Sequence, residues 1–167
     1  MKTKKSLHRS IVEEILPRIA QRLKEETVIS SYDHVPIKIS IKEPLSIKSI
    51  NVVPDLMIHL PDERRILIEV ANPRDPKRFL GEILYPQILG YYRKIDKVIV
   101  FVLRKNQKSQ QVHDRGFQQK WIVSEVFGRK THTIMMTWSN ESDACHNLRL
   151  TIKGFLKEKQ CSEPSSI

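Results

Sequence analysis

The sequence predicts a mixed α/β fold, also describable as α+β, in which one mixed sheet carries helices packed against it. Three stretches point there. "PIKISIK" alternates apolar and polar residues, "KVIVFVL" is apolar throughout, and "SIVEEILPRIAQRLKEE" repeats its apolar residues at helical spacing. A period of two marks a strand with one wet face, an unbroken run marks a strand covered on both faces, and a 3.6-residue period marks a helix.

In order along the chain, Ile11, Val12, Ile15, Leu16, Ile19, Ala20 and Leu23 form one helical stripe, with Pro17 expected to kink it. Ile37, Ile39 and Ile41 alternate with Lys38, Ser40 and Lys42 on a first strand. Two more strands follow at roughly 53–60 and 65–71, joined by the turn "PDER", and the three are read as a meander. "DPKRFLGEILYPQILGYYRK" returns to helical spacing, with Asp75 as N-cap and Pro76 at the first helical position. "KVIVFVL" (97–103) is then a central strand. "RKNQKSQQVHDRGFQQK" reads as a loop or an exposed helix, and "WIVSEVF" fits helix or strand. "THTIMMTW" is a late strand, 143–158 a terminal helix. A single domain over 1–160 with a disordered tail at 161–167 is expected.

Lys and Arg number 29 against 19 Asp and Glu, a formal net charge of +10. The excess is spread along the chain, which favours a polyanionic partner such as nucleic acid. Cys145 and Cys161 are far apart without metal-ligand spacing, so neither a zinc site nor a disulfide framework is indicated. No apolar run reaches membrane-spanning length, and a cytoplasmic or nucleoid-associated protein is expected.

The chemistry-bearing feature is a pair of acids in "VVPDLMIHLPDERRILIEVANPRD". A turn centred near Asp62 and Glu63 sets Met57 opposite Leu67 and Asp55 opposite Glu69; a slip of one residue would break that facing. Two carboxylates side by side are unfavourable by roughly 0.2–1 kcal/mol even when wet. A raised pKa, a basic neighbour or a divalent cation would offset the repulsion, and such a cluster of hard oxygen ligands suits Mg²⁺ or Mn²⁺. The plainer alternative has Asp55 starting a strand after Pro54 and Glu69 pointing to solvent. His59 shares the strand face of Asp55, and a satisfied core or surface histidine is its plainer reading. Trp121 and Trp138 are expected in the core.

Pro54-Asp55, the hairpin and the acid of "IEVA" resemble the core of the PD-(D/E)xK, or restriction-endonuclease-like, nucleases, over roughly residues 6–104. The resemblance implies helix, three-stranded meander, helix and central strand. It also implies that Asp55, Glu69 and the backbone carbonyl of Val70 hold Mg²⁺, for which Mn²⁺ may substitute. Gln87-x-x-x-Tyr91 is similar to the Q-x-x-x-Y element of RecB-like members, and Gln87 sits oddly in an apolar stripe. The chain departs from the family at Ala71, where the catalytic lysine would stand. Arg74 and Lys77 are the better-placed replacements, with Arg78 beside them and Lys38 or Lys42 as further substitutes. Glu13 is a weaker candidate for the first-helix acid of some relatives. Arg74, Lys77, Arg78, Tyr91 and Lys94 form the expected nucleic-acid contact set. The implied activity is metal-dependent DNA endonuclease or exonuclease cleavage. The competing readings are a degenerate nuclease-like domain that binds nucleic acid or a protein without cutting, and an unrelated α/β protein whose acids coincide. A homodimer would suit cutting two strands.

Overall fold

The computed structural model describes residues 6–41, 48–71, 81, 89, 95–103 and 133–160. Helical structure opens with α1 (Leu7–Ser10), passes through a π-helical turn (Ile11–Ile15) and continues as α2 (Leu16–Glu25). The N–H of Leu16 donates to the carbonyl of Ile11, five residues back. Pro17, which has no N–H to donate, sits at the start of α2 directly after that wide turn, so the expected irregularity takes the form of a π bulge.

Among the described residues five strands form the main sheet, in the order β1 (Ser31–Asp33), β4 (Leu56–His59), β5 (Arg65–Ala71), β6 (Lys97–Leu103), β7 (Thr133–Trp138). β1, β4 and β5 are antiparallel neighbours, whereas β5–β6 and β6–β7 are parallel. The fold is therefore mixed α/β on a mixed sheet. Among the described residues β2 (Ile37–Ile41) and β3 (Lys48–Val52) pair only with each other. This corrects the expected meander: its first strand is β1, and the alternating stretch at 37–41 belongs to a separate ribbon. Alternation reports which face of a strand is covered but not which strand lies beside it.

The sheet is buried on both faces. On one, Leu56, Ile58, Ile66, Ile68, Val70, Ile99, Phe101 and Trp138 pack against Leu16, Ile19, Ala20 and Leu23 of α2. The same layer is completed by Ala144, Leu148, Ile152 and Phe155 of α3 (Glu141–Gln160). Phe101 meets Trp138 edge-to-face at 5.4 Å, so Trp138 is a core residue as expected; Trp121 lies outside the described residues. On the other face Met57, Leu67, Ala71, Val98, Val100 and Val102 cluster with Leu89 and Ile95. Coverage on both sides is why "KVIVFVL" carries no polar alternation.

At the β4–β5 turn the chain reverses with Glu63 at φ 69°, and the N–H of Leu60 donates to the carbonyl of Arg64 at 2.8 Å. Arg64 locks this turn onto α3. It donates to Asp62 at 2.7 Å and to the carbonyl of Phe155 at 3.0 Å, with its guanidinium 3.8 Å over the Phe155 ring. At the other side of α3, Arg149 makes a two-pronged bond to Glu26 at the end of α2, at 2.6 and 2.7 Å. Among the described residues no helix is long and apolar enough to cross a membrane. Residues 161–167, expected to be a disordered tail, lie outside the described residues.

Candidate functional site

The register of the β4–β5 hairpin pairs Met57 with Leu67 and Leu56 with Ile68. One step further along the same count, at the bend before β4, Asp55 comes level with Glu69. β4 ends there, so the N–H of Val70 has no ladder carbonyl to meet. It donates instead to Oδ2 of Asp55 at 2.8 Å. Within a strand the N–H and C=O of one residue leave the backbone on the same side. The carbonyl of Val70 therefore also points past the end of β4, toward the space that Asp55 occupies. Oδ1 of Asp55 accepts no hydrogen bond among the described residues.

Glu69 lies next to Val100 across the parallel pair, on the strand face of Leu67 and Ala71. It is half-buried and engaged in an interaction of its own. Ala71 is fully buried among Met57, Leu67, Val100 and Val102. The position where the resembled family has its lysine is thus packed within an apolar cluster in this chain.

His8 is the contribution that sequence reasoning missed. It stands in α1, and its Nε2 lies 3.8 Å from Oδ2 of Asp55, too far for a hydrogen bond but in ion-pair range when protonated. The side chains of His8 and Asp55 are 31% and 19% exposed, so the corner is open to solvent. A weak signal existed: His8 stands three residues before the buried Ile11, so the two share a face of the first helical turn. Glu13, the first-helix acid considered from sequence, is exposed and salt-bridged to Arg9 at 2.6 Å. His59 shares its strand face with Met57, but Asp33 of β1 takes its Nε2 at 2.7 Å. The same carboxylate caps the N–H of Val35 at 2.9 Å, so His59 belongs to the β1–β4 contact.

Arg74, Lys77, Arg78, Gln87, Tyr91 and Lys94 lie outside the described residues, as does Lys42. Lys38 is exposed on β2. The open pocket between α2 and α3 lies elsewhere, and its arginines are already paired, Arg18 with Glu141 at 2.7 Å and Arg22 with Glu26 at 3.3 Å.

By donor type the corner suits a hard divalent ion: two carboxylates and a backbone carbonyl, with an imidazole nearby. Among the described residues no three His, Cys, Asp or Glu side chains are already gathered into a group that could hold one. Two donors sharing an ion at about 2.1 Å each stand roughly 3.0–3.4 Å apart at ordinary coordination angles. The 3.8 Å between His8 and Asp55 exceeds that by a few tenths of an ångström, within reach of a side-chain rotation. No family model matches the sequence, and neither a curated protein nor a solved structure does.

Proposed function

We propose that the chain is a divalent-metal-dependent phosphodiester hydrolase acting on DNA, an endonuclease or exonuclease of the PD-(D/E)xK kind. The observation that carries this reading is the Asp55 corner. A carboxylate is oriented by the N–H of Val70, level with Glu69, beside the Val70 carbonyl and the His8 imidazole. It lies at the carboxyl end of β5, the end of a parallel pair where α/β sheets place their ligands. The antiparallel β1, β4 and β5 after the first helix, with β6 beside β5, support the reading; the expected helix between β5 and β6 lies mostly outside the described residues.

Asp55 and Glu69 would hold Mg²⁺ or Mn²⁺ together with the carbonyl of Val70. When bound, such an ion lowers the pKa of water and neutralises charge on the scissile phosphate. The N–H of Val70 fixes the rotamer of Asp55, so the carboxylate is set before substrate arrives. His8 Nε2, 3.8 Å from the same Oδ2 that accepts from Val70, would join the donor set. Ala71 supplies none of the transition-state charge, which falls to Lys77, Arg74 or Arg78. The excess of basic residues supports a phosphate-backbone partner.

The test is cleavage of supercoiled, linear and single-stranded DNA by the purified chain with Mg²⁺ or Mn²⁺. Asp55→Asn and Glu69→Gln should each lower the rate by about 100-fold or more while the thermal midpoint is kept. Cleavage at the wild-type rate by both variants overturns the proposal. A second reading, a nuclease-like domain that binds DNA without cutting, is favoured by one observation, the full burial of Ala71. It predicts salt-sensitive, chelator-indifferent binding and no cleavage with either ion.

A further inference from the structure

Between β1 and β4 the chain leaves the main sheet and forms the two-stranded β2–β3 ribbon. Its root pair, Ile37 opposite Val52, is half-buried against the cluster that contains Met57 and Leu67. The next pair, Lys38 opposite Asn51, is exposed, and strand alternation puts it on the other face. The register continues with Ile39 opposite Ile50 and Ser40 opposite Ser49. Residues 37–52 hold three lysines, Lys38, Lys42 and Lys48, against one acid, Glu43, and residues 35–53 contain no aromatic residue.

The ribbon's return strand runs straight into the candidate site, because Val52, Val53, Pro54 and Asp55 are consecutive. Exposed apolar residues adjoin the ribbon and the candidate site along the chain. Val35 precedes β2, Val53 follows β3 and Leu7 adjoins His8; at 62%, 63% and 56% exposure they are three of the four large exposed hydrophobics among the described residues.

We propose that the β2–β3 ribbon engages duplex DNA, laying its Lys38–Asn51 face into the major groove and so presenting the backbone to the Asp55 corner. This rests on the reading of that corner as a site that acts on DNA. Two strands about 4.8 Å apart, with side chains, make a ribbon of about 10 Å, and the major groove of about 12 Å admits a two-stranded ribbon. Lysine neutralises phosphate, and asparagine and serine offer hydrogen bonds to phosphates and base edges. A single strand is gripped by stacking bases on aromatic rings, which this segment lacks. The exposed valines at the root are suited to apolar contact with sugars and thymine methyls.

The experiment is fluorescence anisotropy of the full chain, in EDTA so that no cleavage intervenes, on a labelled duplex of about 20 base pairs and on the corresponding single strand. The duplex should bind at least about tenfold tighter than the single strand. Lys38→Glu should weaken duplex binding by about tenfold, and Lys38→Arg should restore it. Lys38→Ala should reduce the slope of log K against log salt by about 0.9, the loss of one phosphate contact. Asn51→Ala should weaken the duplex without changing that slope, and Lys153→Ala, exposed on α3, should leave binding unchanged. Lys38→Glu that binds as tightly and with the same slope as wild type, or preference for the single strand, overturns the assignment. A chain that never cleaves yet shows the expected pattern keeps the ribbon and loses the enzyme. One that cleaves but ignores Lys38→Glu keeps the enzyme and loses the ribbon.

Discussion

Asp55 should have two separable jobs, and a pair of substitutions divides them. In Asp55→Ala the N–H of Val70 loses its acceptor at 2.8 Å, and Val70 is 1% exposed. Stranding a buried donor costs about 1–3 kcal/mol. The Asp55 side chain is itself 19% exposed, so water can partly replace the lost oxygen, and about 1–2 kcal/mol is expected. For a domain of this size that lowers the thermal midpoint by about 3–6 °C. Asp55→Asn keeps an oxygen at the same place and should change stability by less than about 0.5 kcal/mol, since an amide oxygen also accepts from the N–H. Both variants should lose cleavage. Urea unfolding followed by circular dichroism at neutral pH supplies the stability difference. Equal stability of wild type and Asp55→Ala would show that the Val70 bond does not hold the strand end. Asp55→Asn as unstable as Asp55→Ala would show that charge, rather than an acceptor, is what the position requires.

Other expected outcomes follow from the packing. Ala71→Lys, which places there the lysine of the resembled nucleases, should destabilise by about 3 kcal/mol or more, because it overfills an apolar cluster and buries a cation; denaturant titration checks it. Phe101→Ala should cost about 3–5 kcal/mol, since the ring is fully buried and edge-on to Trp138, and the same titration measures it. Arg64→Met should cost about 2 kcal/mol through loss of the Phe155 carbonyl bond and the ring contact, and should raise hydrogen exchange in the last turns of α3. The bonds from Arg149, and then from Arg22, hold the Glu26 carboxyl below its ordinary value of 4.5. A carboxyl depressed on folding stabilises the native state above its unfolded pKa, and the contribution fades as pH falls through the folded value. The stability gap between wild type and Glu26→Gln should therefore be full at neutral pH and shrink below about pH 4.5, read by urea midpoints across that range.

What the sequence made legible was local and periodic. The apolar run of β6, the stripe of α2, the strand of β5 and the long α3 all stand where their spacing puts them. The β4–β5 register was legible too, because the turn is short and one slip would expose Leu67. β1 escaped notice because three residues, "SYD", are too few to show a period. β3 escaped because "KSINV" mixes its polar and apolar residues, and without β3 the alternating β2 had only β4 to be assigned to. His8 escaped for a different reason. It lies far from Asp55 in sequence, and a helical stripe says which residues face the sheet without saying which strand end they meet.

The π turn at Ile11–Ile15 has a bearing on that meeting. Each residue of a regular helix advances the chain by about 100° around the axis, so one surplus residue rotates everything upstream by about that angle. The stripe of α2 is anchored by Ile19 and Leu23 in the core, and the surplus therefore acts on α1. Regular winding of the same stretch would swing the imidazole about a quarter-turn away from the strand end. The wide loop sets the phase between the buried half of this segment and its first turn: regular winding at full length would carry His8 out of range, whereas deleting one residue there would take up the surplus and keep it facing the strand end.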